Sequence, residues 1–284
     1  MVIRNTSSEN QTEGFDPYCI QLLEGPLVWG VFSIPCACVG VPASMWLLWV
    51  LVQKRRRGLS NDVYMLNLTV MDFVFNLSIL PCTINFFFLR NDPFFMITQV
   101  FYCFSVSGRP LFMACICVDC YTAVVHPISY MKMKQSKHRM VAIALAWSLT
   151  LVYGMVFVLD IQLYTTAFTV IPYILSLPTI TFCDFSILRA LRKSDPSGRN
   201  DVHPQKQRAL QTITNSLIMS VVCYLPPLVM YAFLNIMPVS EQEKLCVILI
   251  PVLIAPMISS VIMPLLFLEN LGTLKGVKQW KCLS

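Results

Sequence analysis

The chain has 284 residues, 56% of them hydrophobic and only 13% charged, with a formal net charge of +6. That is far more apolar than an average globular domain, which excludes an ordinary water-soluble fold. The charges are clustered, and the long uncharged runs between them are of membrane-crossing length. The runs 25–53, 140–159, 161–183, 209–240 and 245–268 carry no charge, while 63–89 and 93–118 carry one each, Asp72 and Arg109. About 30 Å of hydrocarbon needs roughly 20 helical residues, so each run is a span. Backbone groups in lipid must be satisfied within their own segment, so the spans are helices. The short alternating segments of a β-barrel are absent.

In chain order, residues 1–26 form a polar N-terminal tail without an apolar signal-peptide core. Asn5 and Asn10 open glycosylation sequons in it. Helix 1 is expected over 27–52, helix 2 over 62–89, helix 3 over 93–125 and helix 4 over 140–159. Helix 5 follows over 168–192, helix 6 over 205–235 and helix 7 over 244–268. The sequons at Asn67 and Asn76 fall inside helix 2 and are expected to be silent. In the tail, 269–284, a stripe of Leu268, Leu271 and Leu274 beside Lys275, Lys278 and Lys281 reads as a short interfacial amphipathic helix. Gly272 and Gly276 weaken it. Cys282 there is either acylated or bare.

Orientation follows from Lys and Arg. Seventeen of the 21 lie in 54–57, 132–139, 189–208 and 275–281, which marks the first, third and fifth connections and the tail as cytoplasmic. The N-terminus is then outside. The positive charge reports topology and anionic lipid, not nucleic acid. The expected fold is an all-α seven-transmembrane bundle over 27–268, in a multi-pass plasma-membrane protein.

Five motifs in the right order then resemble the rhodopsin-like (class A) G-protein-coupled receptors. The branch they resemble holds the nucleotide, lysophospholipid and protease-activated receptors. Asn67-Leu-Thr-Val-Met-Asp72 is similar to the helix 2 signature, and Val118-Asp-Cys-Tyr-Thr-Ala-Val-Val-His-Pro127 to the end of helix 3. Trp147 sits where the helix 4 tryptophan belongs. Cys223-Tyr-Leu-Pro226 looks like the helix 6 proline motif, and Met263-Pro-Leu-Leu-Phe267 like a degraded helix 7 motif. The resemblance implies a heterotrimeric G protein as partner, an unknown extracellular ligand, no cofactor and no metal. It places Asp119, Cys120 and Tyr121 on the G-protein side.

The departures cut into the family's switch. The helix 3 arginine that contacts the G protein is Cys120, and a cysteine supplies no cationic fork. The helix 1 asparagine becomes Ser44, the helix 5 tyrosine Asp184 and a helix 6 phenylalanine Ser220. The helix 7 asparagine and tyrosine become Met263 and Phe267. Coupling to a G protein is thereby put in doubt. The family's outer disulfide is missing at both ends, with Phe95 at its helix 3 position. Cys19 and Cys246 remain on the oxidising side, where some receptors of this branch carry a bridge. A bridge there contributes roughly 4 kcal/mol or more; the alternative is two free cysteines. Cys36, Cys38, Cys115 and Cys117 read as small apolar packing residues.

Asp72 lies about 15 Å, and Arg109 about 16 Å, from the cytoplasmic ends of their antiparallel helices at 1.5 Å per residue. Intramembrane charges need partners, so the two are expected to pair, with Ser259 and Ser260 adding hydrogen bonds. In the family the position of Arg109 is usually a small hydroxyl residue at a sodium site. The guanidinium is inferred to take the ion's place. The outer cavity is expected to be lined by Tyr102, Val106, Tyr173, Tyr231, Asn235 and Ile250, all uncharged. That lining favours an apolar or lipid-like ligand, or none, over a polyanion.

The leading reading is therefore a divergent receptor. The alternative is a receptor-fold protein that does not signal, as a decoy, scaffold or dimer partner. A transporter would show inverted repeats and interrupted helices. An enzyme would show a nucleophile with a base or a phosphate loop, whereas His126, His138 and His203 all lie in connections. The run 245–268 has no lysine for a retinal Schiff base.

Overall fold

The computed structural model describes residues 24–58, 62–85, 88, 92–133, 136–159, 166–193, 204–226, 228–229 and 249–270. Regular structure among these is entirely helical. The long helices are α1 (Glu24–Arg56), α2 (Val63–Ile84), α3 (Asp92–Val125), α4 (Ser136–Leu159), α5 (Thr166–Lys193), α6 (Pro204–Met219) and α7 (Leu249–Asn270). Among the described residues five stretches are long and apolar enough to cross a membrane: Gly30–Arg56, Val63–Ile84, Phe104–Val125, Lys137–Val156 and Ile171–Leu191. Ala209–Tyr224 and Met257–Glu269 are shorter apolar helices. α3 packs against α2, α4, α5 and α6, while α1 closes the ring against α2 and α7.

The distribution of polarity is inside out. Trp49, Leu145, Phe182 and Phe185 are exposed, whereas Ser44, Asp72, Asn76, Arg109, Asp184, Ser216, Ser259 and Ser260 are buried. In water this would invert the usual order. In lipid, apolar chains lose nothing by facing out, and polar groups stabilise the bundle by facing one another. The apolar core between them includes Leu47, Leu68, Phe112, Met113, Met219 and Met263.

Local sequence explains where the helices differ from the expected bounds. The charged residues Lys137, His138 and Arg139 belong to α4, because a helix continues past the apolar run that marks its span. Helix 3 stops at Val125, since Pro127 pushes His126 out of the helical region. Pro127 then starts a two-turn helix, Pro127–Met133, at the one helical position that suits proline. α1 ends beyond Lys54, Arg55 and Arg56 at Gly58, whose φ of 68° is the left-handed helix stop. Leu268 lies in α7 and is buried in the core, so it does not belong to an interfacial stripe. Leu271 and Leu274 lie outside the described residues.

α6 does not run on as a plain α-helix. It widens into a π-turn over Ser220–Tyr224, where the N–H of Leu225 donates to the carbonyl of Ser220. Pro226 follows directly, lacks an N–H, and its ring crowds the carbonyl four residues back. The extra residue of a π-turn is a known way to relieve such crowding.

At Gly40 on α1, a Cβ would stand 2.6 Å from the side-chain amide of Asn76 on α2. Asn76 is held by hydrogen bonds to Ser44 and Ser260 and has nowhere to go. Gly40→Ala is expected to destabilise the bundle by about 1–3 kcal/mol, as overpacking does. Thermal unfolding of the purified chain should show a lower midpoint; an unchanged midpoint would rule out this close approach.

Candidate functional site

The centre of the bundle holds an ion pair. Arg109 Nε on α3 donates to Asp72 Oδ1 on α2 at 2.5 Å, with the two residues 2% and 1% exposed. Arg109 Nη1 donates to Ser259 Oγ on α7 at 2.9 Å. The guanidinium carbon stands 4.6 Å from the ring centroid of Phe75, one turn along from Asp72. Three helices thus meet on one side chain. The fork of an arginine suits this, because its donors diverge and its charge is weakly hydrated.

A neutral network lies beside the pair. Ser260 Oγ donates to Asn76 Oδ1 at 2.6 Å. The Asn76 amide donates to Ser44 Oγ at 3.2 Å and to the Ser260 carbonyl at 3.3 Å. Asn76 lies four residues after Asp72, so both point to the same interior face of α2. Ser260 therefore serves Asn76, while Ser259 bonds the guanidinium. Five residues before Asp72, Asn67 accepts the indole N–H of Trp147 on α4 at 3.0 Å. The Trp147 ring meets Phe112 edge-on at 5.6 Å between centroids. α2 is thus fastened to α1, α3, α4 and α7 by separate polar contacts.

The basic end of the bundle holds a second ion pair. Asp119 is paired with Arg139 of α4, whose Nη2 donates to both carboxylate oxygens at 2.8 and 3.0 Å. The same nitrogen donates to Tyr130 OH at 2.7 Å. Cys120 packs with Tyr121 and Val124 against Ile187, Ala209 and Ile213 of α5 and α6. The Tyr121 hydroxyl lies 3.3 Å from His126 Nε2, and its ring is tilted against Phe182. A second buried carboxylate, Asp184 on α5, accepts the Ser216 hydroxyl of α6 at 2.5 Å.

Sequence reasoning paired Asp72 with Arg109 on helix depth and offered both Ser259 and Ser260 to the pair; the guanidinium bonds Asp72 and Ser259. The same reasoning missed Asn76, Arg139 and Asp184 as interior polar residues. Asn76 carried a signal in its four-residue spacing from Asp72. Asp184 carried one in being a carboxylate at the edge of an uncharged run. Of the expected cavity residues, Val106 and Tyr173 are buried in one apolar cluster. Tyr173 also meets Tyr224 at 5.9 Å between ring centroids. Tyr102 and Ile250 lie on α3 and α7, with their side chains outside the described residues. Tyr231, Asn235, Cys19, Cys246, Asn5 and Asn10 also lie outside. Cys117 is buried and Cys36 and Cys115 are half-buried, but Cys38 is exposed and so does not pack in the core. Among the described residues no three His, Cys, Asp or Glu side chains converge as a metal site would require.

A model of the family described as 7 transmembrane receptor (rhodopsin family) matches residues 44–164. A purinoceptor of Xenopus laevis is 28% identical over 218 residues, 66% of this chain and 40% of the relative. Human proteinase-activated receptor 3 is 30% identical over 150 residues, 51% of this chain and 37% of the relative. The human S-geranylgeranyl-glutathione receptor is 24% identical over 253 residues, 75% of this chain and 68% of the relative. The chain thus spans about two-fifths of the length of the first two.

Asp72→Asn leaves Arg109 as a naked interior charge and is expected to cost roughly 3–5 kcal/mol. Combining it with Arg109→Met removes both charges and should recover much of that loss. Melting curves of the two variants beside the parent test this. The same curves in sodium and in choline chloride at equal ionic strength should coincide for the parent. A sodium-specific rise would show that a cation still finds Asp72.

Proposed function

The chain belongs to the rhodopsin-like (class A) seven-transmembrane receptors, in the branch of nucleotide, lipid and protease-activated receptors, and on that premise we propose that it is a divergent G-protein-coupled receptor. Members of this family are multi-pass plasma-membrane proteins and not enzymes. In the reading proposed, residues 1–26 are extracellular, 27–268 form the receptor domain and 269–284 the cytoplasmic tail. The receptor passes an uncharged or lipid-like extracellular signal to a heterotrimeric G protein. Asn5 and Asn10 carry glycans, and Cys19 bridges to Cys246. Ligand contacts come from Tyr102, Val106, Tyr173, Tyr231, Asn235 and Ile250.

The observation that carries this reading is the interior charge balance. Among the described residues the buried basic side chains are Arg109 and Arg139, and each stands on a carboxylate of its own. Neither is left for an anionic ligand, which supports an uncharged or lipid-like one. One relative's name carries a ligand with an apolar prenyl chain, S-geranylgeranyl-glutathione, which agrees with that class. In this reading the Arg109 guanidinium replaces the sodium ion that the family holds at Asp72.

At the cytoplasmic end, Asp119, Cys120 and Tyr121 face the G protein, with the usual cation replaced by a thiol. A non-signalling decoy, scaffold or dimer partner would start from the packing of Cys120 against Ile187, Ala209 and Ile213. Basal G-protein activation in cells separates the two. The receptor reading expects activation by the parent above mock-transfected cells, and a further rise in Cys120→Arg. A signal in the variant alone would establish an uncoupled receptor fold.

A further inference from the structure

Outside the interior sites, one concavity combines shape with charge. It lies between α3, α4 and α5 at the basic end, with a volume of about 410 Å³, within the roughly 300–1,000 Å³ range of small-molecule sites. Its walls are Leu111, Val118, Leu145, Leu149 and Leu175, and its floor is made by Ala114, Ala142 and Ala146. The three alanines are short side chains, which leaves room along this part of the lining. Leu145, Leu149 and Leu175 are exposed on the outer surface of the bundle, so the groove opens toward the acyl chains. At its basic end the lining turns polar, with Thr122, Tyr130, His138 and the Asp119–Arg139 pair. Exposed His138 has exposed Lys137 beside it on the first turns of α4. An apolar slot with a polar end and exposed Lys137 beside that end complements one class of molecule.

We propose that this groove is a binding site for an anionic phospholipid of the surrounding bilayer. One acyl chain lies along the alanine floor, and the headgroup phosphate sits at Lys137 and His138. The Asp119–Arg139 pair closes the inner end, so that the occupant contacts the residues that brace α3 against α4. The choice of an anionic head rests on the topology proposed above, which puts this end in the negatively charged cytoplasmic leaflet. Symmetric nanodiscs offer the same lipid at both ends, so a failure of that topology leaves the test below unaffected.

The full chain is reconstituted in nanodiscs of phosphatidylcholine mixed with phosphatidylglycerol, transferred to detergent, and the lipids still attached are identified by native mass spectrometry. The parent should retain phosphatidylglycerol in preference to phosphatidylcholine. K137Q/H138Q, which alters only exposed side chains, should lose that preference by about five-fold, the factor one interfacial cation supplies. A142W should lose retention of both lipids. K54Q/R55Q removes two cations at the same end but away from the groove, and should behave as the parent. Equal retention of the two lipids by the parent would overturn the proposal. So would an equal loss in K54Q/R55Q, which would reduce the effect to the general basic rim.

Discussion

A charge in the middle of a bilayer can persist only if another charge meets it, and that constraint organises this bundle. Asp72 and Arg109 fix the rotation of α2 relative to α3, because either helix turned by one residue would strand both groups. Ser259 then binds α7 to the same point. Asn76, one turn along α2, joins α1 and α7 through Ser44 and Ser260. α2 is therefore held on several sides by directional contacts, which apolar packing in lipid does not supply by itself.

The helices at the basic end are held in pairs instead. Arg139 ties α4 to α3 through Asp119, and Asp184 ties α5 to α6 through Ser216. Between these two fasteners lies an apolar cluster around Cys120, Ile187, Ala209 and Ile213. The carboxylate of the helix 3 motif is satisfied from a neighbouring helix and not from the residue beside it. Asp119 is therefore not an orphaned charge, although the residue beside it, Cys120, carries none.

Much of the architecture was legible because the bilayer imposes it. Length and the absence of charge located α1 to α5 to within a few residues. The depth of Asp72 and Arg109 followed from counting along two antiparallel helices. What resisted reading depended on rotation about the helix axis. The sequence offered both Ser259 and Ser260 to the guanidinium, but only the phase of α7 decided that the first bonds Arg109 and the second Asn76. Arg139 reads as part of a solvated basic cluster unless α4 begins before its apolar run, as it does. Asp184 looks like the first polar residue after a span, although the helix carries it into the interior.

The π-turn at Ser220–Tyr224 bears on how this protein is set beside its relatives. Such a turn holds one residue more than an α-turn. A residue count taken from Cys223 outward along a plain α-helix therefore arrives about 100° out of phase. Positions that share a column with a relative beyond Pro226 need not share a face of the helix. The comparison holds by column only for a relative that has the same extra residue.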